Sequence, residues 1–269
     1  MLIGNKNFEI GKRTYIMGIL NITPDSFSDG GNFNDIKAAL IQVEKMILEG
    51  ADIIDIGGES TRPGHAVVSI DDELDRVIPI IKAIREKYDI PISIDTYKGI
   101  VAQEAIKAGA NLINDVYGFK KCDYISKVAA KYNVPCCLMH NRENSNYIED
   151  IIDVMKKDLN ESIDIAIKAG VKKDNIMIDP GIGFAKTLDN NLEVMYRLEE
   201  LKELKYPILL GTSRKSMIGL TLDLPVEERL EGTLATTVLG INKGIEFVRV
   251  HDVKENKRAA LMSDAMIRR

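Results

Sequence analysis

The sequence predicts a (β/α)8 TIM barrel with a short N-terminal hairpin, and three observations support that prediction. Eight short runs of apolar and β-branched residues recur along the chain, separated by amphipathic stretches with helical spacing. The runs are almost continuously apolar, which is typical of parallel strands buried on both faces. Eight strand–helix units within 269 residues match the count and the size of this barrel.

The predicted strands follow one another in regular alternation with the helical stretches. In chain order they are Tyr15–Leu20, Ile53–Ile56, Ile92–Asp95, Leu112–Asp115, Cys136–His140, Ile176–Asp179, Ile208–Thr212 and Phe247–Val250. Several helical stretches end in glycine, at Gly50, Gly109 and Gly170, because the residue after a helix often adopts a left-handed conformation. A doubly wound open sheet is the competing arrangement, but no GxGxxG motif follows the first strand.

The remaining sequence predicts one domain over residues 1–269. The segment Leu2–Arg13 is short and rich in turn residues, and we expect it to form a hairpin that caps one end of the barrel. No internal repeat, low-complexity tract or linker interrupts the alternation of strands and helices.

Composition and charge exclude several classes of function. A net charge of −5 gives no broad positive surface for nucleic acid. No apolar run approaches the ~20 residues that span a bilayer, and the N-terminus lacks the apolar core of a signal peptide. We therefore expect a cytoplasmic protein without a membrane partner.

The cysteines do not suggest a metal site. Cys136 and Cys137 are adjacent in a predicted strand, so their side chains point to opposite faces and cannot grip one zinc ion together. We expect them to be small buried hydrophobic residues.

Polar residues stand where the predicted strands end, which is the face that carries chemistry in such barrels. They are Asn21, the segment Gly57–Gly64, Asp95, Asn114 with Asp115, His140, Asp179, the segment Gly211–Ser216, and Arg249 with His251. A single one of them often only caps the next helix, and Asp95 or Asp179 would fit that role. A ring drawn from all eight strands instead favours a binding site. There Asp95 and Asp179 would accept hydrogen bonds from a flat heterocycle rich in N–H groups.

A second group at the strand ends is basic, although the chain as a whole is acidic. Its members are Arg62, Arg214, Lys215, Arg249 and His251. Together they favour an anionic substrate, with phosphate or diphosphate the first candidates. The segment GTSRKSMIG after the seventh strand would add backbone N–H groups near a helix start.

Taken together, these motifs resemble those of the dihydropteroate synthase family. In the family's order the chain contains MGILNITPDSFSDGG, DIIDIGGESTRPG, SIDTYK, INDVYG, MH, IDPGIGFAKT, GTSRKSMIG and RVHDV. The resemblance covers essentially the whole chain. It implies a transferase of an alkyl group other than methyl, acting in folate synthesis. Such an enzyme joins 6-hydroxymethyl-7,8-dihydropterin diphosphate to p-aminobenzoate, releases diphosphate, and is a sulfonamide target.

The same resemblance implies a role for individual residues. The pterin contacts would be Asp95, Asn114, Asp179, Lys215 and Arg249, of which Asp95, Lys215 and Arg249 would be catalytic. The diphosphate contacts would be Asn21, Arg62, Arg249 and His251, with Asn21 also on Mg2+. The p-aminobenzoate pocket would be lined by Phe27, Thr61, Pro63, Phe184 and Ser213. The resemblance further implies a homodimer, and it makes the long segment Asn21–Gly31 a lid over the site.

Three positions depart from the common family pattern. Tyr117 stands in place of a serine, Ala185 in place of a glycine, and the segment Asn141–Asp150 in place of a different loop. Three other interpretations compete: a pterin-dependent methyltransferase with a corrinoid partner, a non-catalytic paralogue, and strand ends that only cap helices. The diphosphate-directed motifs disfavour the first, and the second should have lost some of the site residues.

Overall fold

Eight parallel strands form the centre of the molecule. The structure is a computed structural model, and it describes residues 1–22, 32–60 and 67–268. A two-stranded hairpin, β1 (Leu2–Ile3) and β2 (Lys6–Asn7), comes first. The barrel strands are β3 (Tyr15–Asn21), β4 (Ile53–Gly57), β5 (Ile92–Asp95), β6 (Leu112–Asp115), β7 (Cys136–Met139), β8 (Ile176–Asp179), β9 (Leu209–Leu210) and β10 (Phe247–Val250).

The strands pair in the order β8-β7-β6-β5-β4-β3-β10-β9. Closure takes place between the two ends of this order. A parallel bridge joins Ile178 of β8 to Ile208, and the Ile178 N–H donates to the Pro207 carbonyl at 2.9 Å. The predicted barrel is therefore confirmed, with β9 shorter than the predicted Ile208–Thr212 because the ladder stops before Gly211.

Helices surround the strands. In the described part of the chain they are α1 (Asn32–Leu48), α2 (Ile70–Lys87), α3 (Gly99–Ala108), α4 (Asp123–Tyr132), α5 (Ile151–Ala169), α6 (Leu188–Tyr196), α7 (Ser216–Leu222), α8 (Leu230–Asn242) and α9 (Val253–Ile267). Two of them, α7 and α8, lie between β9 and β10, where a regular barrel has one. No helix in these described ranges has the length and apolar character needed to cross a membrane.

Alternation along each strand divides the buried apolar residues into two clusters. Ile54 and Ile56 of β4 belong to the cluster between sheet and helices, whereas Ile53 belongs to the cluster inside the barrel. This period of two is what a strand buried on both faces requires. Cys136 faces the outer cluster and Cys137 the inner one, and both are fully buried, as expected.

The N-terminal hairpin caps one end of the barrel. Ile3 and Phe8 join the inner cluster, and the Phe8 ring lies 4.7 Å from that of Tyr15 and 5.9 Å from that of Phe247. Tyr15 and Phe247 are the first residues of β3 and β10, so the hairpin covers the amino ends of the strands. The opposite end, where the strands finish, is left for the polar residues.

Candidate active site

Strand register places three polar strand ends and one glycine side by side at the barrel mouth. Asn21 of β3 is paired with Gly57 of β4, which is paired in turn with Asp95 of β5. Asp95 is paired with Asn114 of β6. A methyl group on Gly57 would lie 3.8 Å from Asp95 Oδ2 and 3.9 Å from Asn21 Oδ1, so both of these oxygens lie over Gly57.

Arg249 of β10 holds two carboxylates at the centre of the mouth. Its Nη2 donates to Asp95 Oδ2 at 2.7 Å, and its Nε donates to Asp55 Oδ2 at 2.6 Å. Asn114 Nδ2 also donates to Asp55 Oδ2, at 3.4 Å. The two carboxylates thus share one guanidinium, which fixes its plane across the mouth.

Asp55 is a residue of the site that motif reading missed. It is the single charged residue of the apolar strand IIDIG, and strand alternation gives it the same inward phase as Ile53. A charged side chain in a strand that is otherwise buried on both faces needs a partner. A charged residue in an apolar strand was therefore the sequence signal for this site, and its partner in the structure is Arg249.

Two buried carboxylate oxygens at the mouth have no hydrogen-bond partner among the described residues. They are Asp55 Oδ1 and Asp95 Oδ1, and the hydroxyl of Ser93 beside them is also unpaired. Leaving such acceptors unpaired is costly unless a ligand satisfies them. Since Asp95 is only 6% exposed, its free oxygen is suited to a donor that enters the mouth.

The charges at the mouth perturb one another. Burial raises the pKa of Asp95 to about 7, with the Asp55 charge adding to the rise and Arg249 opposing it. The guanidinium of Arg249 is disfavoured by burial, but Asp55 and Asp95 outweigh this and raise its pKa. Perturbed carboxyl groups of this kind are concentrated at functional sites.

Asp179 and Lys215 lie on the other side of the mouth. A methyl group on Gly211 would lie 3.7 Å from Asp179 Oδ2, 3.8 Å from Lys215 Nζ and 3.9 Å from Arg249 Cβ. Burial lowers the pKa of Lys215 to about 8, although the charge of Asp179 acts to raise it. Burial raises the pKa of Asp179, although the charge of Lys215 and a hydrogen bond from the Gly181 N–H both act to lower it.

Lys215 also reaches the loop that carries Phe184. Its Nζ donates to the Ile182 carbonyl and lies 4.8 Å from the centre of the Phe184 ring. Phe184 is partly exposed, so one aromatic face remains at the mouth beside a cation.

Ser213 and His251 form a pair at the same end. The Ser213 hydroxyl lies 2.9 Å from His251 Nδ1, and the His251 backbone N–H donates to Ser213 Oγ at 3.1 Å. The hydroxyl oxygen accepts the backbone bond, so its own proton is available for Nδ1. Ser213 is thereby held against the end of β10.

Two residues of the predicted polar ring have only structural roles. Asp115 accepts hydrogen bonds from the Tyr117 and Phe119 N–H groups at 2.8 and 2.9 Å, so it stabilises the turn after β6. Arg214, expected among the basic residues of the mouth, makes a two-point ion pair with Asp252, the residue after His251. Asp95 does not cap a helix, because the N-cap of α3 is Lys98 and the Asp95 carboxylate bonds to Arg249.

Four predicted site residues lie outside the described residues. These are Phe27 on the first loop and Thr61, Arg62 and Pro63 on the second. The predicted lid, Asn21–Gly31, lies outside them beyond Ile22. The other nine predicted residues belong to the mouth just described: Asn21, Asp95, Asn114, Asp179, Phe184, Ser213, Lys215, Arg249 and His251.

Comparison with known proteins decides what kind of site this is. The model of a family described as pterin binding enzyme matches residues 17–251. A dihydropteroate synthase of Clostridium beijerinckii is 66% identical over 270 residues, which cover 100% of both chains. The chain belongs to the dihydropteroate synthase family of pterin-binding enzymes. This confirms the resemblance and the transferase class, and the full-length identity decides against the corrinoid-dependent methyltransferase.

Solved structures of the family have the same fold. A dihydropteroate synthase of Clostridium difficile, determined in the presence of pteroic acid, superposes with a TM-score of 0.96 at 56% identity, over 98% of this chain and 100% of that one. The Yersinia pestis synthase, in a complex with a sulfonamide drug, gives a TM-score of 0.91 at 39% identity, over 99% and 98% of the two chains.

Proposed function

We propose that this chain condenses 6-hydroxymethyl-7,8-dihydropterin diphosphate with p-aminobenzoate, giving 7,8-dihydropteroate and diphosphate. Family membership supports the reaction. One structural observation supports its location: the buried, unpaired Oδ1 of Asp95 beside Arg249 at the barrel mouth. A pterin ring presents N–H and amino donors to such an acceptor.

The pterin lies deepest in this proposal. Asp95 and Asp179 accept from its N–H and amino groups, and Asn114 completes the edge contacts. Lys215 donates to the pterin carbonyl and a ring nitrogen. The guanidinium plane of Arg249, already fixed by Asp55 and Asp95, covers the ring face, which suits a flat π-system.

The reaction is a substitution at the methylene carbon of the pterin. The bond from this carbon to the diphosphate oxygen breaks, and its electron pair leaves with diphosphate. The nitrogen of p-aminobenzoate supplies the pair for the new C–N bond and then loses a proton to water. Because an aniline nitrogen is unprotonated at neutral pH, no dedicated base is required. The Asp95 carboxylate favours positive charge on the ring as the first bond breaks.

The departing diphosphate faces Asn21, Arg249 and His251, with Arg62 as a fourth contact from outside the described residues. Mg2+ usually binds few protein oxygens, keeps several waters and takes the rest from substrate phosphates. The exposed amide of Asn21 at the mouth fits that pattern, and the described residues contain no cluster that would hold a metal alone. When bound, Mg2+ stabilises the negative charge of the leaving group.

The p-aminobenzoate pocket is proposed at Phe184 and Ser213, completed by Phe27, Thr61 and Pro63. The aromatic face of Phe184 beside Lys215 suits an anionic aromatic ring. Sulfonamides resemble p-aminobenzoate, and the sulfonamide complex of the Yersinia pestis relative supports sulfonamides as competitors here.

We also propose a homodimer through α7 and α8. Exposed apolar side chains lie on both helices, with Leu220 at 66%, Leu222 at 48% and Leu239 at 39% exposed. The small residues of α8 are explained by packing within the chain, since a methyl group on Gly240 would lie 2.5 Å from Leu210. Sedimentation of the chain as a monomer at micromolar concentration would contradict the dimer.

The proposed reaction is tested by following diphosphate release. With Mg2+, release should require both dihydropterin diphosphate and p-aminobenzoate, and sulfonamide should compete with the second substrate. A non-catalytic paralogue would bind the pterin without release. Release that is independent of p-aminobenzoate would contradict the proposal.

A further inference from the structure

The loop from Asp179 to α6, residues 180–187, is fixed by a lysine that motif reading did not single out. Lys186 Nζ lies 3.0 Å from the Gly181 carbonyl, 3.1 Å from the Phe184 carbonyl and 2.9 Å from His140 Nδ1. An ammonium group has three N–H donors, so these three acceptors use all of them. Lys186 therefore ties the two ends of the turn that carries Phe184 to the end of β7.

The contact with Asp158 on α5 determines the tautomer of His140. Asp158 Oδ2 lies 3.1 Å from His140 Nε2. Although burial opposes it, the hydrogen bond from His140 lowers the pKa of Asp158, so this carboxylate only accepts and the imidazole proton is on Nε2. Nδ1 then carries no proton and accepts from Lys186 Nζ, whose pKa burial lowers to about 7. His140 is buried, and burial lowers its pKa to about 4, so the ring is neutral near pH 7. Asp158, His140 and Lys186 thus form a continuous chain of hydrogen bonds.

The turn held by Lys186 faces the proposed substrates. The Ile182 carbonyl, which accepts from Lys215, lies between the two anchored carbonyls, and the second of these belongs to Phe184 itself. On the other side of the loop, Asn191 Oδ1 accepts from the Gly183 N–H at 2.7 Å. Loss of Lys186 would therefore loosen the turn on one side without releasing it completely.

Two departures from the family pattern meet at this loop. Ala185 has a φ of +44°, a left-handed conformation that glycine adopts more easily. The Tyr147 hydroxyl, from the unusual segment Asn141–Asp150, donates to the Ala185 carbonyl at 3.0 Å. The guanidinium of Arg142 lies over the Tyr147 ring at 5.4 Å and pairs with Asp158 at 3.3 Å. The variant segment thus braces the same loop from outside.

We propose that Lys186, oriented by His140 and Asp158, is a positioning residue that sets the Phe184 turn for p-aminobenzoate. The inference rests on the proposed function and assigns this cluster to the second substrate. Of the proposed pterin contacts, Asp95, Asn114 and Arg249 lie on other strands. Asp179 and Lys215 touch the turn, through the Gly181 N–H and the Ile182 carbonyl, but neither bonds to Lys186 itself. The cluster should therefore affect the two substrates unequally.

Lys186→Met tests whether the two substrates are affected unequally, since methionine keeps roughly the length of the side chain and removes its three donors. The KM for p-aminobenzoate should rise about tenfold, whereas kcat and the Kd for dihydropterin diphosphate should change less than about threefold. A merely structural role would reduce the amount of folded enzyme, which lowers the apparent kcat at constant KM. Lys156→Met is the matched control, because Lys156 lies on α5 and pairs with Glu203 on the surface.

A conservative pair of variants distinguishes the hydrogen bond from bulk packing. Asp158→Asn keeps an acceptor for His140 Nε2–H, so its KM for p-aminobenzoate should stay within about twofold of wild type. Asp158→Leu removes the acceptor and should raise that KM as Lys186→Met does. Equal KM values for the two variants would overturn the proposed chain.

A spectroscopic measurement on the wild type keeps the test independent of variant folding. Nitrogen-15 spectra should show His140 with its proton on Nε2, and the sequence has only three histidines to assign. A proton on Nδ1 would overturn the inference, as would an unchanged KM in Lys186→Met while the wild type is active. If the wild type itself releases no diphosphate with both substrates, the proposed function has failed instead.

Discussion

At the scale of single residues, Arg249 balances two buried carboxylates with one positive charge. Asp55 and Asp95 each give one oxygen to the guanidinium and keep one unpaired. Burial raises the pKa of Asp95 to about 7 despite its ion pair with Arg249, and the second negative charge, on Asp55, adds to the rise. Asp55 thus has two functions: it orients Arg249 and it makes Asp95 easier to protonate.

Asp55→Asn should shift the pH dependence of pterin binding. Ionised Asp95 can accept at both oxygens and carries a negative charge, whereas protonated Asp95 presents an O–H that opposes a pterin donor, so binding should weaken as the pH falls through about 7. Without the Asp55 charge the pKa of Asp95 falls, and this weakening should begin at a lower pH. Titration calorimetry across the pH range measures it, and a midpoint unchanged from wild type would contradict the account.

The sequence predicts some residues of the site and not others, for a physical reason. Asp95, Asn114 and Asp179 end predicted strands, and strand alternation with barrel topology is enough to bring them together. Lys186 was not predicted, because its role depends on the distance to His140, which sequence spacing does not define. The ion pair of Arg214 with Asp252 was not predicted, because it depends on how two loops pack.

At the scale of elements, the β8–α6 loop depends on its glycines. Gly181 has a φ of +66°, and a methyl group there would lie 1.9 Å from the His140 carbonyl oxygen. That oxygen belongs to the backbone of a buried strand end and cannot move aside. The loop can therefore approach β7 only with glycine at this position.

Gly181→Ala should displace the loop and lower kcat/KM for p-aminobenzoate at least about tenfold, because Phe184 and the Lys186 contacts move with it. Gly11→Ala is the matched control. Gly11 also has a positive φ, +84°, but no atom lies within 4 Å of its added methyl group. Steady-state kinetics compares them, and equal effects of the two variants would show that backbone strain alone matters.

The elements themselves were largely predictable because their patterns are local. Apolar runs and terminal glycines defined most strands and several helix ends, including Gly109 and Gly170. The ladder at β9 was overestimated, since Gly211 and Thr212 continue the chain direction but have no ladder partners. Pairing is a property of two segments, and one segment's sequence describes only half of it.

At the scale of the whole molecule, stability and chemistry occupy opposite ends of the barrel. The hairpin closes the amino end with Phe8, which is 2% exposed, whereas the proposed site occupies the other end. This division is general for barrels of this kind. A change at the hairpin should therefore affect unfolding but leave the reaction intact.

Phe8→Ala should reduce the free energy of unfolding by about 3–5 kcal/mol, because it removes a buried ring and leaves a cavity. Leu2→Ala, on the same hairpin but 58% exposed, should cost less than about 0.5 kcal/mol. Urea denaturation measures both. The folded Phe8→Ala protein should keep the wild-type KM for each substrate, and a changed KM would contradict the separation of the two ends.

Asp95 is the central residue of the proposed site, as the pterin acceptor at the mouth. The most direct measurement is the Kd for dihydropterin diphosphate in Asp95→Ala, beside Asp174→Ala as control. Asp174 is exposed in the turn before β8, at the far end of the barrel. Removal of Asp95 should weaken binding at least about tenfold, since a charged acceptor is lost from a buried site, while the control keeps wild-type affinity. Wild-type affinity in Asp95→Ala would contradict the proposed site.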